Sequence, residues 1–427
     1  MNSIEEIEED IGLIVEEYLE NNLKKYSSPE FYDKMGEDII DYVKKMYFLD
    51  SLETEISEIE DLEEYILNSI DDILSFYHIP KRQLLELDLD LELDVNNNNN
   101  NNDDEKTKIL RELEEINQLQ PKQRTTEWYE YRHNKFSASS IWKLLSTPSQ
   151  YNSLILEKCK KYTDNQYPIT NHTNPRNWGL KYEKVSIMIY EDKYPTTKVK
   201  TDYGCIPHPI YSFIAASPDG INISPDCPEK YGRMVEVKNI YNRDITGIPL
   251  EEYWIQMQLQ METCGLDVCD FLETRIKEYS GEEVFYSDNS PEYKGVILFL
   301  LGKDCVYSEN RFEYMPLYIN LEKKHVDKWI SEIREKVVDT HIVYETIYWY
   351  LDEYSCVVVE RNELWFESVL PVFQEAWNIV LSERKHGHKH REPVSRISSV
   401  TTNTNTATAT AASTTKKIDK FCVVKLD

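Results

Sequence analysis

Hydrophobic and acidic positions alternate at helical spacing over the first ninety residues. Apolar residues recur every three or four positions in two stretches, with Asp and Glu between them. The first stretch is Ile4, Ile7, Ile11, Ile14 and Tyr18, and the second is Ile56, Ile59, Leu62, Ile66, Ile70 and Ile73. Each helix built this way has one apolar face and one charged face. The pattern therefore predicts a separate acidic helical module over residues 1–90.

This helical pattern stops near residue 84. Leucine alternates with Asp or Glu over residues 84–95, and an unbroken asparagine run fills residues 96–102. A segment of this composition buries too little apolar surface to offset the entropy lost on ordering. We therefore expect a disordered linker over residues 91–110.

Strand and helix patterns are interleaved over residues 111–380. Strand-like runs occupy residues 233–240, 268–276, 296–301 and 314–319, and helical spacing occupies residues 179–190, 253–265 and 321–344. This order predicts an α/β domain, more narrowly α+β, with a mixed central sheet flanked by helices.

Residues 381–427 begin with a basic, histidine-rich run at 384–391 and continue into a Ser/Thr-rich tract at 401–415. Both compositions predict a disordered tail. For the basic run, a flexible linker that contacts phosphates is favoured over a histidine metal site. Residues 416–422 weakly resemble a sliding-clamp-binding peptide, and a strand docked on its own domain is the favoured alternative.

A turn followed by a charged strand is the most informative motif. Ser217-Pro218-Asp219-Gly220 reads as a turn, and Glu236 and Lys238 share one face of the strand that follows. Carboxylate oxygens suit a hard divalent cation, and an ammonium beside them can orient an attacking water or stabilise charge on a phosphate. The motif predicts a phosphodiesterase site, with a surface salt bridge after an ordinary turn as the alternative.

Polar groups that could complete this site lie on two predicted helices. Glu183 lies early on a helix whose back face is apolar, so it supplies a third acid. Gln256 and Gln260 share one face at i, i+4 of a helix closed by Gly265. The alternatives are a solvated helix acid and an ordinary polar helix face.

An arginine and several serines lie upstream of these blocks. Arg132 comes a few residues before Ser137 and Ser139, which immediately precede an amphipathic run. Serines can cap a helix, and a helix N-terminus with an arginine nearby can bind a phosphate. An exposed arginine and a simple helix cap are the alternative.

These five blocks, in this order, resemble the YqaJ-like viral recombinase family, which includes lambda exonuclease, within the PD-(D/E)XK nuclease superfamily. The resemblance covers roughly residues 124–280 and implies a restriction-endonuclease-like core. It implies catalytic and metal-binding roles for Glu183, Asp219 and Glu236, the carbonyl of Val237 as a further metal ligand, Lys238 as the catalytic lysine, Arg132, Ser137 and Ser139 as DNA phosphate ligands, and Gln256 and Gln258 as supporting residues.

The resemblance also implies a function. It predicts a Mg²⁺-dependent deoxyribonuclease with one or two ions, or Mn²⁺ in their place. The expected reaction is 5′-to-3′ digestion of double-stranded DNA from its ends, which leaves 3′ single strands for recombination or repair. A single-strand annealing protein and further copies of the chain are expected partners. The alternatives are a non-cutting DNA-end-binding or packaging protein and a structure-selective endonuclease.

Net charge at first argues against a DNA enzyme. The chain of 427 residues carries a formal charge of -29, with a pI of about 4.8. Residues 1–110 hold 31 Asp and Glu against 9 Lys and Arg, a charge of -22, which leaves -7 for the remainder. Because the acids are concentrated outside the predicted catalytic region, a local basic groove can still bind phosphates.

The remaining features bear on source and compartment. The asparagine run together with a viral-type domain resembles proteins of giant DNA viruses. The eight cysteines form no C-x-x-C pair, so no iron–sulfur cluster is expected. No signal peptide or membrane-spanning stretch is visible, which predicts a soluble intracellular protein with no membrane partner. If it is viral, the host cytoplasm is expected, with virion packaging as the alternative.

Overall fold

A computed structural model describes residues 4–46, 56–80, 82, 100–123, 125–163, 175–303 and 311–392. The helices are α1 Ile4–Asn22, α2 Phe31–Met46, α3 Ile56–Phe76, α4 Asn100–Gln118, α5 Thr126–His133, α6 Ala138–Ile141, α7 Pro148–Cys159, α8 Pro175–Lys193, α9 Glu251–Cys264, α10 Glu282–Ser287, α11 Lys323–Val337 and α12 Glu363–His386. The strands are β1 Phe136–Ser137, β2 Val199–Lys200, β3 Ile206–Pro207, β4 Ile214–Ala216, β5 Gly220–Asn222, β6 Met234–Asn239, β7 Val268–Glu278, β8 Lys294–Gly302, β9 Arg311–Tyr314 and β10 His341–Glu360.

A mixed seven-stranded sheet organises the fold. Its strand order is β2-β5-β6-β7-β10-β8-β9, and only the β6–β7 pair among these neighbours is parallel in the part of the chain described. A small second sheet has the order β1-β4-β3. Parallel neighbours need a long crossover connection, and α9 supplies the one between β6 and β7. The helix therefore crosses the sheet directly over the predicted catalytic strand.

Helices cover both faces of this sheet at β6. Val235 and Val237 pack against α8, together with Leu272 of β7. Met234 and Phe271 belong instead to the cluster that contains the buried side chains of α9. Alternate residues of a strand point to opposite faces, so β6 presents Glu236 and Lys238 toward α9.

The predicted fold class is confirmed, since a mixed sheet is flanked by helices in an α/β (α+β) arrangement. Two element predictions were wrong. The helix predicted over residues 321–344 ends at Val337, and residues 341–360 form the longest strand described. That strand is rich in aromatic and β-branched residues, which suit a position between two neighbours in a sheet. The strand predicted over 314–319 instead ends at Tyr314.

The N-terminal helices form as predicted, but they are not separate from the domain that follows. The described residues up to Arg391 make one compact unit. The Tyr26 ring lies 5.6 Å from the Trp254 ring of α9, and Ser27 Oγ donates to Glu251 Oε1 at 2.8 Å. Buried aromatic contacts of this kind hold the N-terminal helices against α9. The domain boundaries themselves stay predictions.

The predicted linker over residues 91–110 is partly helical. Residues 91–99 lie outside the described part, whereas α4 already begins at Asn100. Leu110 and Leu113 are buried on this helix, and Asn117 accepts a hydrogen bond from the Gly204 backbone at 2.7 Å. A helix anchored by such contacts extends backward into polar sequence because propagation costs less than nucleation.

The first residues of the predicted disordered tail are ordered. Helix α12 continues to His386, and a short 3₁₀ turn follows at Lys389–Arg391. The Ser/Thr-rich tract and the weak clamp-binding resemblance lie outside the described residues. Among the helices described, none has both the length and the apolar composition needed to cross a membrane.

Arg82 ties the N-terminal helices to the start of α9. Arg82 is 2% exposed. Its guanidinium lies 4.9 Å from the centre of the Trp254 ring and donates to the carbonyls of Ser27 at 2.8 Å and Pro249 at 3.1 Å. Burial lowers the pKa of Arg82 to about 10. Arg82→Met should therefore lower the free energy of unfolding by about 2–4 kcal/mol, since it leaves two buried carbonyls without a donor. Urea denaturation measures this change.

Lys34→Met is the matched control, because Lys34 is exposed on the same group of helices. It should leave the unfolding midpoint nearly unchanged. An Arg82→Met protein with the wild-type midpoint would contradict the role of this contact in joining the two parts.

Candidate active site

A cavity of about 440 Å³ opens where β5 and β6 separate, between α8 and α9. Strand β5 pairs with β6 only at Met234 and Val235, so the edge of β6 is open beyond that point. The residues predicted from the sequence that line this cavity are Arg132, Ser137, Ser139, Glu183, Asp219, Glu236, Val237, Lys238 and Gln256. Five separate segments of sequence thus meet at one place.

The turn before β5 brings Asp219 to the open edge of β6. The Val237 backbone N–H donates to Asp219 Oδ2 at 3.0 Å. In a strand the N–H and C=O of one residue point to the same side, so the Val237 carbonyl also faces the cavity. Glycine is required after Asp219, because a Cβ on Gly220 would lie 2.3 Å from Val199 Cγ1. The Asp-Gly pair therefore lets the turn approach β2 and β6 together.

Two glutamines of α9 hold the Glu236 carboxylate. Gln256 Nε2 donates to Glu236 Oε1 at 2.7 Å, and Gln260 Nε2 donates to Glu236 Oε2 at 2.8 Å. Their i, i+4 spacing places both amides on the helix face that packs over β6. Glu236 is 1% exposed. Both oxygens of a buried carboxylate are therefore oriented by neutral donors.

Three carboxylates come together from different directions. Asp219 reaches the cavity from the edge of the sheet, Glu236 from the α9 face and Glu183 from helix α8. Burial is the largest cause that raises the pKa of Asp219 well above its ordinary value, and the charges of Glu236 and Glu183 raise it further. Within the described residues, no three His, Cys, Asp or Glu side chains are arranged so that they could hold a metal ion by themselves. The three carboxylates thus concentrate negative charge in the cavity, but they do not surround a position for a metal ion.

Lys238 is the cation of this cluster. Its Nζ donates to Glu236 Oε1 and to Gln256 Oε1, the latter at 3.2 Å, and lies 4.6 Å from the centre of the Tyr253 ring. Burial alone would lower the pKa of this ammonium, but Glu236 and Asp219 outweigh burial and raise the pKa. Lys238 therefore stays charged at the floor of the cavity.

Arg132 and the serines form a polar pocket in the cavity wall. Arg132 donates to Ser139 Oγ and to Ser137 Oγ, the latter at 3.3 Å, and its guanidinium lies 4.9 Å from the centre of the Trp128 ring. Burial lowers the pKa of this guanidinium. A planar donor group beside two hydroxyls matches the geometry of a phosphate.

The position of Gln258 differs from the expectation. Its Nε2 donates to the Glu360 carbonyl at 2.8 Å, and its Oε1 accepts from the Asn362 N–H at 2.7 Å. It therefore fixes the connection between β10 and α12, on another side of α9 from the cavity. Gln260 contacts Glu236 in place of Gln258. The sequence indicated Gln260 only through the helix face that it shares with Gln256.

Sequence reasoning missed Asn239, which positions α8. Its Nδ2 donates to the Gly179 carbonyl at 3.3 Å, and its Oδ1 accepts from Ser186 Oγ at 2.8 Å and Thr274 Oγ1 at 2.9 Å. These bonds fix the helix that carries Glu183 against β6. The only sequence signal was its place immediately after Lys238, on the opposite strand face.

Similarity to known proteins covers this same region. Residues 127–267 match the YqaJ-like viral recombinase domain, and this range contains all the predicted site residues. An uncharacterized protein of Acanthamoeba polyphaga mimivirus is 28% identical over 310 residues, which make up 62% of this chain and 54% of that protein. The chain thus spans about half the length of this relative.

Two crystal structures of an alkaline exonuclease, LHK-Exo from Laribacter hongkongensis, also match, one of them in complex with dAMP. Each has a TM-score of 0.36 and covers 61% of this chain and 95% of the exonuclease chain, at 18% and 17% identity. The resemblance predicted from the sequence is confirmed by the domain match: residues 127–267 of this chain are similar to the YqaJ-like viral recombinase domain.

Proposed function

We propose that this protein is a metal-dependent deoxyribonuclease that digests double-stranded DNA from its ends. The observation that carries the proposal is the meeting of Glu183, Asp219 and Glu236 with Lys238 in one cavity. An acid cluster beside a charged lysine suits hydrolysis of a phosphodiester. The similarity of residues 127–267 to the recombinase domain supports the same reaction class.

The chemistry of the donor atoms, rather than their present spacing, suits a divalent cation. The three carboxylates and the Val237 carbonyl are hard oxygen ligands, which Mg²⁺ and Mn²⁺ prefer. Burial raises the pKa of Asp219, and the charges of Glu236 and Glu183 raise it further although Lys238 lowers it, so negative charge accumulates in the cavity. When bound, such a cation polarises the phosphoryl oxygen and lowers the pKa of a coordinated water. One or two Mg²⁺ ions are therefore the proposed cofactor.

The protein's own residues would orient the reaction. Gln256 and Gln260 fix both oxygens of Glu236, so its free lone pairs face the cavity in a defined direction. Lys238 remains an ammonium and would stabilise charge that develops on the phosphate, or orient the attacking water. The Val237 N–H holds one oxygen of Asp219, which would leave the other oxygen for a metal ion.

Action from a DNA end is supported by the Arg132 pocket. Arg132, Ser137 and Ser139 line the same cavity as the acids, so a terminal phosphate could be held while the adjacent bond is cut. The 5′-to-3′ polarity and the 3′ single-stranded product come from the family resemblance. A single-strand annealing partner, a homo-oligomer, a place in recombination or repair and action in a host cytoplasm are proposed on the same basis.

A comparison of three DNA substrates with Mg²⁺ tests this function. Linear duplex with 5′-phosphates should be degraded fastest, linear duplex without them more slowly, and closed circular DNA should stay intact. EDTA should abolish all digestion. Cutting of the circle would instead indicate a structure-selective endonuclease, and tight end binding without any cutting would indicate an end-binding or packaging protein.

Arg132→Gln separates phosphate recognition from chemistry in the same assay. The amide keeps hydrogen-bonding capacity but loses the charge, so the preference for 5′-phosphorylated ends should fall by about tenfold. Digestion of unphosphorylated duplex should change much less. An unchanged preference would contradict the role of Arg132 at the terminal phosphate.

A further inference from the structure

We infer that a basic surface at the end of α12 binds the DNA backbone as the duplex leaves the catalytic cavity. The basic surface consists of Lys160, Lys161, Lys385, His386, Lys389 and His390, all of which are exposed. Lys160 and Lys161 lie within the segment similar to the recombinase domain, and the other four residues lie outside it. The inference deepens the proposed function, since it takes DNA as the substrate.

Contacts within the fold fix this surface in place. Arg384 donates to the Lys158 carbonyl at 2.8 Å and to Asn134 Oδ1 at 3.1 Å. Arg391 donates to Asn152 Oδ1 at 2.9 Å and to both carboxylate oxygens of Glu383. The basic run is therefore docked against α7 and the turn after α5, and it is no longer the flexible linker that its composition predicts.

The basic surface is continuous with the wall of the cavity. Arg132, which lines the cavity, is followed by His133, whose Nε2 lies 2.9 Å from the Lys160 carbonyl. Asn134 then contacts Arg384 at the base of the surface. Three consecutive residues thus connect the proposed phosphate pocket to the exposed lysines.

Charge identifies the partner as a polyanion. Two acids beside this surface are already paired, because Glu157 lies 3.2 Å from Lys158 Nζ and Glu383 binds Arg391. In the described part of the chain, Lys160, Lys161, Lys385 and Lys389 form no salt bridge. Unpaired lysines in a protein of charge -29 favour a partner with regularly spaced phosphates.

The substrate supplies that partner. A duplex whose end lies in the cavity must pass over the surface next to the cavity, and phosphate contacts there would fix its direction without reading sequence. Lysines on α12 and after α7 lie on two neighbouring segments, so they can contact successive phosphates. We commit to the DNA backbone as the occupant of this surface.

The test measures salt dependence of DNA binding without cleavage. A labelled 5′-phosphorylated duplex is titrated in EDTA between roughly 50 and 200 mM NaCl with wild type and Lys385→Gln/Lys389→Gln. Loss of two phosphate contacts should reduce the slope of log K against log salt by about 1.8 and weaken binding at 0.1 M salt by up to roughly 60-fold. Lys160→Gln/Lys161→Gln should behave in the same way.

Lys324→Gln/Lys328→Gln is the matched control, because both lysines are exposed on α11 and the net charge changes equally. An unchanged slope in the two surface variants, or an equal change in the control, would overturn the inference and point to an acidic protein partner instead. Failure of the nuclease proposal would look different, since wild type would then bind DNA in EDTA but not cut it with Mg²⁺.

Discussion

The Lys238→Ala variant is expected to cut linear duplex DNA about a hundredfold to ten-thousandfold more slowly than wild type. Lys238 is the cation placed among the three acids, and its Nζ contacts Glu236 and Gln256. Alanine removes the positive charge that is proposed to face the phosphate, and it leaves Glu236 without its ion pair. The chemical step should therefore slow, whereas binding of the DNA end at the Arg132 pocket should persist.

Single-turnover digestion of 5′-phosphorylated duplex with Mg²⁺ measures this effect, because it separates chemistry from product release. Lys277→Ala is the matched control, since Lys277 is half-exposed on β7 and pairs with Asp352 at 2.8 Å, away from the cavity. Binding of labelled duplex in EDTA verifies that the Lys238 variant is folded. Wild-type rates in a folded Lys238→Ala protein would exclude the assigned mechanism.

The Asp219→Asn variant is expected to lose activity and gain stability at once. Asparagine can still accept the Val237 N–H through its side-chain oxygen, so the turn should keep its shape. It removes a buried carboxylate that faces Glu236 and Glu183. Cleavage should fall roughly a thousandfold or more, because a proposed metal ligand is lost. In EDTA at neutral pH, the melting temperature should rise by about 2 °C or more.

The stability gain should depend on pH in a defined direction. The folded-state pKa of Asp219 is raised, so the folded protein holds this proton more tightly than the unfolded chain does. Wild type therefore loses stability as pH rises from the unfolded-state pKa toward the raised folded-state pKa. The two proteins should melt alike near pH 4 and differ most above the folded-state value.

Thermal melts in EDTA across this pH range check the prediction. Asp226→Asn is the control, because Asp226 is exposed on the loop between β5 and β6 and the charge change is the same. It should alter neither activity nor melting temperature appreciably. A destabilised Asp219→Asn protein at neutral pH would contradict the argument from carboxylate burial and repulsion.

Divalent cations should reverse the order of stability. A ligand that binds only the folded state stabilises it in proportion to the logarithm of its concentration over its dissociation constant. Mg²⁺ or Mn²⁺ should therefore raise the melting temperature of wild type more than that of Asp219→Asn. This measurement uses no DNA, so it tests the ion site apart from catalysis.

Local sequence patterns predicted the elements that carry the site. The Ser-Pro-Asp-Gly turn, the strand with Glu236 and Lys238, and the helix ending at Gly265 all form where periodicity and turn chemistry placed them. These features depend on residues within one or two turns of each other, which is the range over which pattern reasoning is reliable. The i, i+2 and i, i+4 spacings therefore gave correct faces for the acid, the lysine and both outer glutamines.

Long-range packing explains what the patterns missed. Gln258 has the same local surroundings as Gln256 and Gln260, and only the docking of β10 and α12 turns it toward Glu360 and Asn362. Arg82 lies beside residues that predicted a linker, yet it is buried against α9. The basic run at 384–391 has the composition of a free tail, but Arg384 and Arg391 are bonded to α7 and the α5 turn.

By itself, the sequence predicted most of the groups that line the cavity, the helices and strands on which they lie, and the faces they occupy, because these depend on neighbours a few residues away. The tertiary structure decided that Glu183, Asp219 and Glu236 meet at the open edge of β6, that the N-terminal helices rest on α9, and that the exposed lysines continue the cavity wall. Those outcomes depend on burial and hydrogen bonding between segments up to hundreds of residues apart, which no local pattern records.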